Sequence, residues 1–308
     1  MMFGPVEEKR RIAPAQWWII SLAIAFMAGS VLYRYLMHAA YGHTAAMFVG
    51  VPAVLAIALA LTPKAKTVTG GIMKGITLAL LVLAPLLGEG YLCILMAAPL
   101  FYVVGLLVGI SVDGSRKRDR DGQTLSCIVL LLLPMSLEGV IPQFAFDRRQ
   151  AVEVTHVVDA PVERVEGSLA NSPRIAERLP GFLRIGFPHP MKATGSGLAV
   201  GAKREILFSG AEGDPAGWLA MRVTERRPGY ARFETVSDGS KLTQWIRWDA
   251  SEVTWTPVDA NHTRVTWRVH FERELDPAWY FTPWERAAVQ DAAKYLIEVN
   301  ATPESARR

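Results

Sequence analysis

Five apolar runs, each about the length of a membrane span, fill the first 141 residues, and a tryptophan-rich stretch of ordinary globular character follows. A spanning helix needs about 20 mostly apolar residues, because the hydrocarbon core is about 30 Å thick and offers peptide groups no hydrogen-bond partner. The runs extend over 17–36, 44–61, 68–87, 91–112 and 124–141. The third is the weakest: Gly70, Gly71 and Gly75 interrupt it, Lys74 must snorkel to the near interface, and only Gly88-Glu89-Gly90 separates it from the fourth. The spacing predicts an α-helical transmembrane bundle of five spans over 1–146, followed by a separate domain over 147–308.

Charge supports that division. Of the 33 Lys and Arg, 11 precede residue 147 together with 7 of the 29 Asp and Glu, so the whole formal +4 belongs to the apolar half. The remainder carries 22 of each sign, and the basic pI is therefore no signal of nucleic-acid binding. Lys9, Arg10 and Arg11, then Lys64 and Lys66, then Arg116, Lys117, Arg118 and Arg120 fall on one side of a five-span arrangement, while 38–43 and 88–90 contain no Lys or Arg. Positive loops stay in the cytoplasm. This predicts an integral protein of the cell's inner or plasma membrane with an extracytoplasmic tail; a re-entrant third segment would instead leave the tail in the cytoplasm. The first run is too long for a cleaved signal and lacks a small-residue cleavage site, so it is expected to stay in the membrane. Both cysteines, Cys93 and Cys127, lie in apolar runs, so the tail has no thiol for a disulfide, a zinc site or a nucleophile.

Ionisable groups at membrane depth are costly. Glu89 and Glu138, each beside a glycine, and His38 and His43 map to the level where the bundle meets the tail. Either they form a cluster that holds a lipid headgroup or a cation, or they simply reach interfacial water.

From Val152 the apolar period becomes two: Val152, Val154, His156 and Val158 share one strand face. Pro161 and Glu163 then suit a helix start, with Val165 and Leu169 as its apolar face, and a second short helix is expected over 173–179. Strand-like runs follow over 203–209, 218–225, 230–237, 242–255 and 264–274, the last two joined by the turn Asp259-Ala260-Asn261-His262-Thr263. The closing helix is expected to begin at a capping box, with Thr282 as N-cap, Pro283 in the first position and Glu285 reaching back. Its apolar stripe reads Trp284, Ala288, Ala292, Tyr295 and Val299, with Arg286, Gln290, Lys294 and Glu298 toward solvent.

The order strand, two short helices, five strands and one long terminal helix resembles the helix-grip fold of the START and Bet v 1-like superfamily, the polyketide cyclase/dehydrase and lipid transport group. The resemblance is carried by Val152-Glu153-Val154, Val158-Asp159-Ala160-Pro161 with Val165, Thr263-Arg264-Val265-Thr266, and the helix from Pro283. It covers about 150–300. Members often place tryptophan after the valine of the first helix, where this chain has Glu166, so packing at the cavity mouth is expected to differ. The resemblance implies an α+β domain in which a curved antiparallel sheet clasps the long C-terminal helix around a cavity for an apolar ligand.

Trp218, Trp245, Trp255, Trp267, Phe271 and Tyr295 are candidate walls of that cavity, with Trp248, Phe208 and Phe233, against the plainer reading of each as core. His156, on the valine face of its strand, is either an acid or base inside the cavity or a buried histidine satisfied by one hydrogen bond. Arg247 and Asp249 share alternation with Trp245 and Val253; they pair inside the pocket, or lie on the wet face with Trp248 inward. No nucleophile triad, metal set or phosphate loop is present: His189 and His262 lack ligand-type partners at helical spacing, and Gly195-Ser196-Gly197 lacks a strand-to-helix context. No cofactor is implied. The expected function is membrane-tethered binding of a hydrophobic or amphipathic, lipid-like small molecule; the alternatives are a cyclase- or aromatase-like enzyme and a protein-interaction platform with a filled core.

Overall fold

The computed structural model describes residues 65–87, 91–118, 137–138, 143, 146–175, 179–185, 187–210 and 215–303. Contacts divide the chain into two units, Met1–Leu131 and Leu132–Arg308.

In the first unit, helices α1 (Val68–Leu87) and α2 (Tyr91–Arg118) pack antiparallel. Asp113 of α2 holds the start of α1: its carboxylate accepts the backbone N–H groups of Val68 at 2.8 Å and Thr69 at 2.9 Å and the Thr69 hydroxyl at 2.6 Å. A carboxylate there satisfies otherwise orphaned donors at the positive end of the helix. Gly105 and Gly109, four apart on α2, permit the close approach; a Cβ on Gly109 would come within 2.6 Å of Thr69 Cα, and one on Gly105 would strike Ile76. Thr77 and Tyr102 share a hydrogen bond of 2.8 Å farther along.

Among the described residues one helical stretch, Met96–Gly114, is long and apolar enough to cross a membrane, and Val68–Leu80 is a shorter apolar helix. The described residues thus do not support the bundle of five spans. The expected runs 17–36 and 44–61 lie outside the described residues, as do His38, His43, Glu89 and most of 124–141. Leu137 and Glu138 form a turn.

In the second unit, β1 (Arg149–Val158), β2 (Pro190–Thr194), β3 (Lys203–Phe208), β4 (Gly217–Arg227), β5 (Tyr230–Asp238), β6 (Ile246–Pro257) and β7 (Thr263–Arg273) form one antiparallel sheet in the order β1-β7-β6-β5-β4-β3-β2. Bulges in β2, β4 and β6 bend it. Helix α3 (Val162–Ala170) follows β1, and α4 (Ala278–Ala301) closes the chain by packing across β1 and β7 and touching α3 and a 3₁₀ turn at Gly181–Ile185. This is the helix-grip arrangement. Alternation explains the sheet: Val265, Trp267, Val269 and Phe271 of β7 are buried against α4 while Arg264 and Arg268 face out. Val165 and Leu169 of α3 are fully buried, as their spacing predicts.

Four local expectations are corrected. Pro173 and Arg174 are not helical, 176–178 of the expected helix lie outside the described residues, and a 3₁₀ turn stands at Gly181–Ile185. The edge strand β2, opening at Pro190, has no expected counterpart because five residues around a proline give almost no periodic signal. β6 begins at Ile246, and the residues before it form a 3₁₀ turn at Lys241–Gln244. Helix α4 starts at Ala278, a turn before the expected capping box, so Thr282 and Pro283 lie inside it and Glu285 is buried rather than capping. Its first half buries Phe281, Glu285, Val289 and Ala293, about one residue out of phase with the expected stripe, and Trp284 is exposed; farther on, the expected Tyr295 and Val299 are buried, together with Ile297 and Asn300.

Candidate functional site

The aromatics beneath α4 are packed, not arrayed around open space. A void that admits a water-sized sphere leaves accessible area on its walls, yet Trp255 and Phe271 are 1% exposed and Trp267 and Phe233 3%. Tyr295 and Trp248 are buried as well, and Trp245 packs edge-on to Phe187 with centroids 5.6 Å apart. Phe233, Trp248, Trp255, Trp267 and Phe271 are core, in one cluster with Val289, Ala293 and Ile297 of α4.

Three expected wall residues lie elsewhere. Trp218 is on the outward row of β4 and is exposed, while Leu219, Met221 and Val223 point in. Arg247 is on the wet face, with Nη1 at 3.2 Å from Glu272 and Nη2 at 2.7 Å from Glu274. The bulge between Trp248 and Ala250 resets the phase of β6, so Ile246 and Trp248 are buried before it and Ser251, Val253 and Trp255 after it. Of the two arrangements open to Arg247, the structure has the one on the wet face with Trp248 inward, because the bulge breaks the alternation that would tie Arg247 to Val253. His156 occupies the inward row of edge strand β1 but is exposed, opposite Val265, so it is no buried acid or base.

Among the described residues, a groove of about 610 Å³ lies open between β1 and the first half of α4. Val152, Ala278, Trp279, Pro283 and Ala287 give it apolar walls, and Glu153, Thr282, Arg286 and Gln290 add polar groups. Arg286 is steadied by a 3.1 Å hydrogen bond to Gln150 of β1. Trp279 is half exposed there. Its position near the start of α4 follows from the helix beginning at Ala278, the feature that sequence reasoning placed one turn too late.

Behind the start of α4 lies a charged knot. Glu138 is buried: its Oε1 accepts the Ala278 backbone N–H at 2.9 Å and an Arg273 Nη2 hydrogen at 3.2 Å. Its carboxylate is turned to these protein partners, while His38, His43 and Glu89, its expected companions, lie outside the described residues. Arg273, 1% exposed, also donates to Asp276 at 2.5 Å and to the carbonyls of Phe146, Asp147 and Leu275. Arg148 adds a 2.6 Å bond to Asp276. Glu285 faces the same region from α4; its Oε1 accepts the Leu275 N–H at 3.3 Å, and Oε2 is buried without a partner among the described residues. Burial pushes its carboxyl up to about 7, against the lowering effect of the Leu275 hydrogen bond and Arg273. Sequence reasoning missed both Arg273 and Glu285 as inward groups. The alternation of β7 carries the signal for Arg273, which continues the row Val269, Phe271.

Glu166, the departure from the resembled family, accepts hydrogen bonds from Arg226 and, at 3.3 Å, from the Trp255 indole, and Arg226 lies over that ring at 4.9 Å. A carboxylate thus fixes the arginine that covers the core tryptophan.

No family model matches the chain, and no curated protein matches it. Solved structures similar to it include a START superfamily protein from Mycobacterium smegmatis, at 10% identity and a TM-score of 0.35 over 48% of this chain and 92% of that one. The Zhui aromatase/cyclase from Streptomyces sp. R1128 aligns at 14% identity and a TM-score of 0.29, over 50% and 99%. Norcoclaurine synthase from Thalictrum flavum aligns at 14% and 0.31, over 49% and 87%.

Proposed function

We propose that the C-terminal domain binds a hydrophobic or amphipathic, lipid-like small molecule in the groove between β1 and α4, and that the apolar N-terminal segments hold it at a membrane, on the extracytoplasmic side. The groove carries this reading. Its volume of about 610 Å³ falls within the rough range of 300–1,000 Å³ usual for ligand pockets, which are apolar with a few convergent polar groups. Trp279 offers apolar area still open to a guest, whereas the indoles of Trp255 and Trp267 are consumed by the core. Tethering would keep the groove beside a lipid source, at an effective concentration of roughly millimolar for a short linker.

The test is to purify the full chain in detergent, extract it with organic solvent and identify what is released by mass spectrometry. A hydrophobic compound is expected with the wild type, and several-fold less of it with Trp279→Arg. Equal recovery from both, or none from either, would count against the groove.

A cyclase-like enzyme is the second reading, and Glu285 is the observation that favours it, since a carboxyl tuned to about 7 suits proton transfer near neutrality. Its free oxygen is shut off from solvent, however, and His156 and Arg247 lie outside any enclosed site. Binding is therefore the better-supported reading.

A further inference from the structure

The groove between β1 and α4 is graded along its length. Ala278, Trp279 and Pro283 line it at the start of the helix, and Arg286 and Gln290 line it farther on. Trp279 and Arg286 are about two turns, roughly 10 Å, apart along the helix axis. One end is therefore apolar and the other polar, in a space open to solvent.

Two full charges line this groove, and the fold treats them differently. The Glu153 carboxylate is taken up by Arg268 of β7, whose Nε donates to Oε2 at 2.8 Å and whose Nη2 lies 2.5 Å from the same oxygen. Arg286 has no such counter-ion among the described residues. Its partner is neutral: the amide oxygen of Gln150 accepts from Nη1 at 3.1 Å. That bond runs from α4 to β1, so it holds the guanidinium across the groove instead of letting it trail into water. Nε and Nη2 donate to no described residue, and together they form the flat edge that a carboxylate or phosphate matches with two parallel hydrogen bonds.

The charge count decides between guests of equal greasiness. With Glu153 neutralised by Arg268, the groove carries the one positive charge of Arg286, which repels a cationic head and gives a neutral hydroxyl only an ordinary hydrogen bond. Arg286 is exposed, so water and salt weaken the attraction to a several-fold preference. The volume of about 610 Å³ suits one chain rather than the two of a phospholipid.

We propose that Arg286 selects the head of the groove's guest, a single-chain amphiphile ending in a carboxylate or a phosphate monoester, whose chain lies along Val152, Trp279 and Pro283. This inference rests on the groove as the binding site and adds what the site chooses.

The probes are dodecanoate, dodecyl phosphate, dodecanol and dodecyltrimethylammonium, each with the same diazirine in its chain, photolysed with the full chain in phosphatidylcholine nanodiscs. Labelling of the segment 278–290 is read by peptide mass spectrometry. One or both anionic probes are expected to label it several-fold more than the alcohol or the ammonium compound, and the ratio of the two names the head. Arg286→Gln should bring the anionic probes down to the level of the alcohol, and Arg286→Lys, which keeps the charge but loses the fork, should retain part of the preference. The same probe is compared between proteins, so differences in partition into the bilayer cancel. Ala287→Trp, which fills the groove, should lower labelling by every probe. Equal labelling by all four in the wild type, or an undiminished preference in Arg286→Gln, would overturn the role of Arg286 and leave the groove standing. Labelling that Ala287→Trp does not reduce, or none at 278–290 with any probe, would overturn the groove itself and this inference with it.

Discussion

Glu285 occupies a place on the inward face of α4 where an apolar side chain would raise no question, and its burial has a measurable consequence. Its carboxyl titrates above its ordinary value, so the neutral form is the one the folded state prefers. The contribution is fully present below the unfolded value, is lost as pH rises toward about 7, and leaves a penalty in place above that. Glu285→Gln cannot ionise and keeps an acceptor for the Leu275 N–H. It should match the wild type near pH 4 and exceed it at pH 8 by about 2 kcal/mol. Melting curves of both proteins across that interval decide the matter; parallel pH profiles would show that Glu285 carries no such shift. In sequence this residue looked like part of a capping box, because Thr282, Pro283 and Glu285 have the right spacing for one. Nothing local reveals that the helix has already begun at Ala278, since the carboxylate at its start comes from Glu138, remote in the chain.

At the scale of elements, legibility followed regularity. Strand β7 alternates strictly and α3 keeps a clean Val165–Leu169 face, so both were readable. The stripe of α4 was legible at Tyr295 and Val299 and hidden elsewhere, because Glu285 and Asn300 occupy buried positions that a pattern reader assigns to solvent. In β6 the bulge after Trp248 inverted the face of everything before it. The pairing of α1 with α2 was unread as well, although Gly105 and Gly109 advertise a close approach. Gly109→Leu would force a side chain against Thr69 backbone and should weaken the pair by about 1–3 kcal/mol. Asp113→Ala, which removes the bonds to Val68 and Thr69, should cost about 1 kcal/mol. The loss would appear as an earlier fall of the helical signal in thermal melts of the full chain. If Gly71→Leu, at a glycine facing open space, lowers the melt as much as Gly109→Leu, tight packing at Gly109 is not the cause.

At the scale of the molecule, the change from apolar blocks to an amphipathic sheet was plain from composition and period, and the grip of the sheet on its last helix was plain from the order of elements. The site was not, because an aromatic that fills a core and one that lines a pocket are the same letter in a sequence. Only the third dimension separates Trp255 from Trp279.

The buried Glu138 has a practical corollary for anyone who wishes to study the globular part by itself. Cutting at residue 147, where composition invites the scissors, would discard the acid that faces Arg273 and the acceptor that receives the first amide of α4. A fragment beginning at 132 should melt as one cooperative body, whereas one beginning at 147 should be poorer by about 3 kcal/mol or fail to accumulate. Equal melting points for the two fragments would mean that the severed acid is a passenger, and the upstream chain would then be free to swing without the domain's noticing.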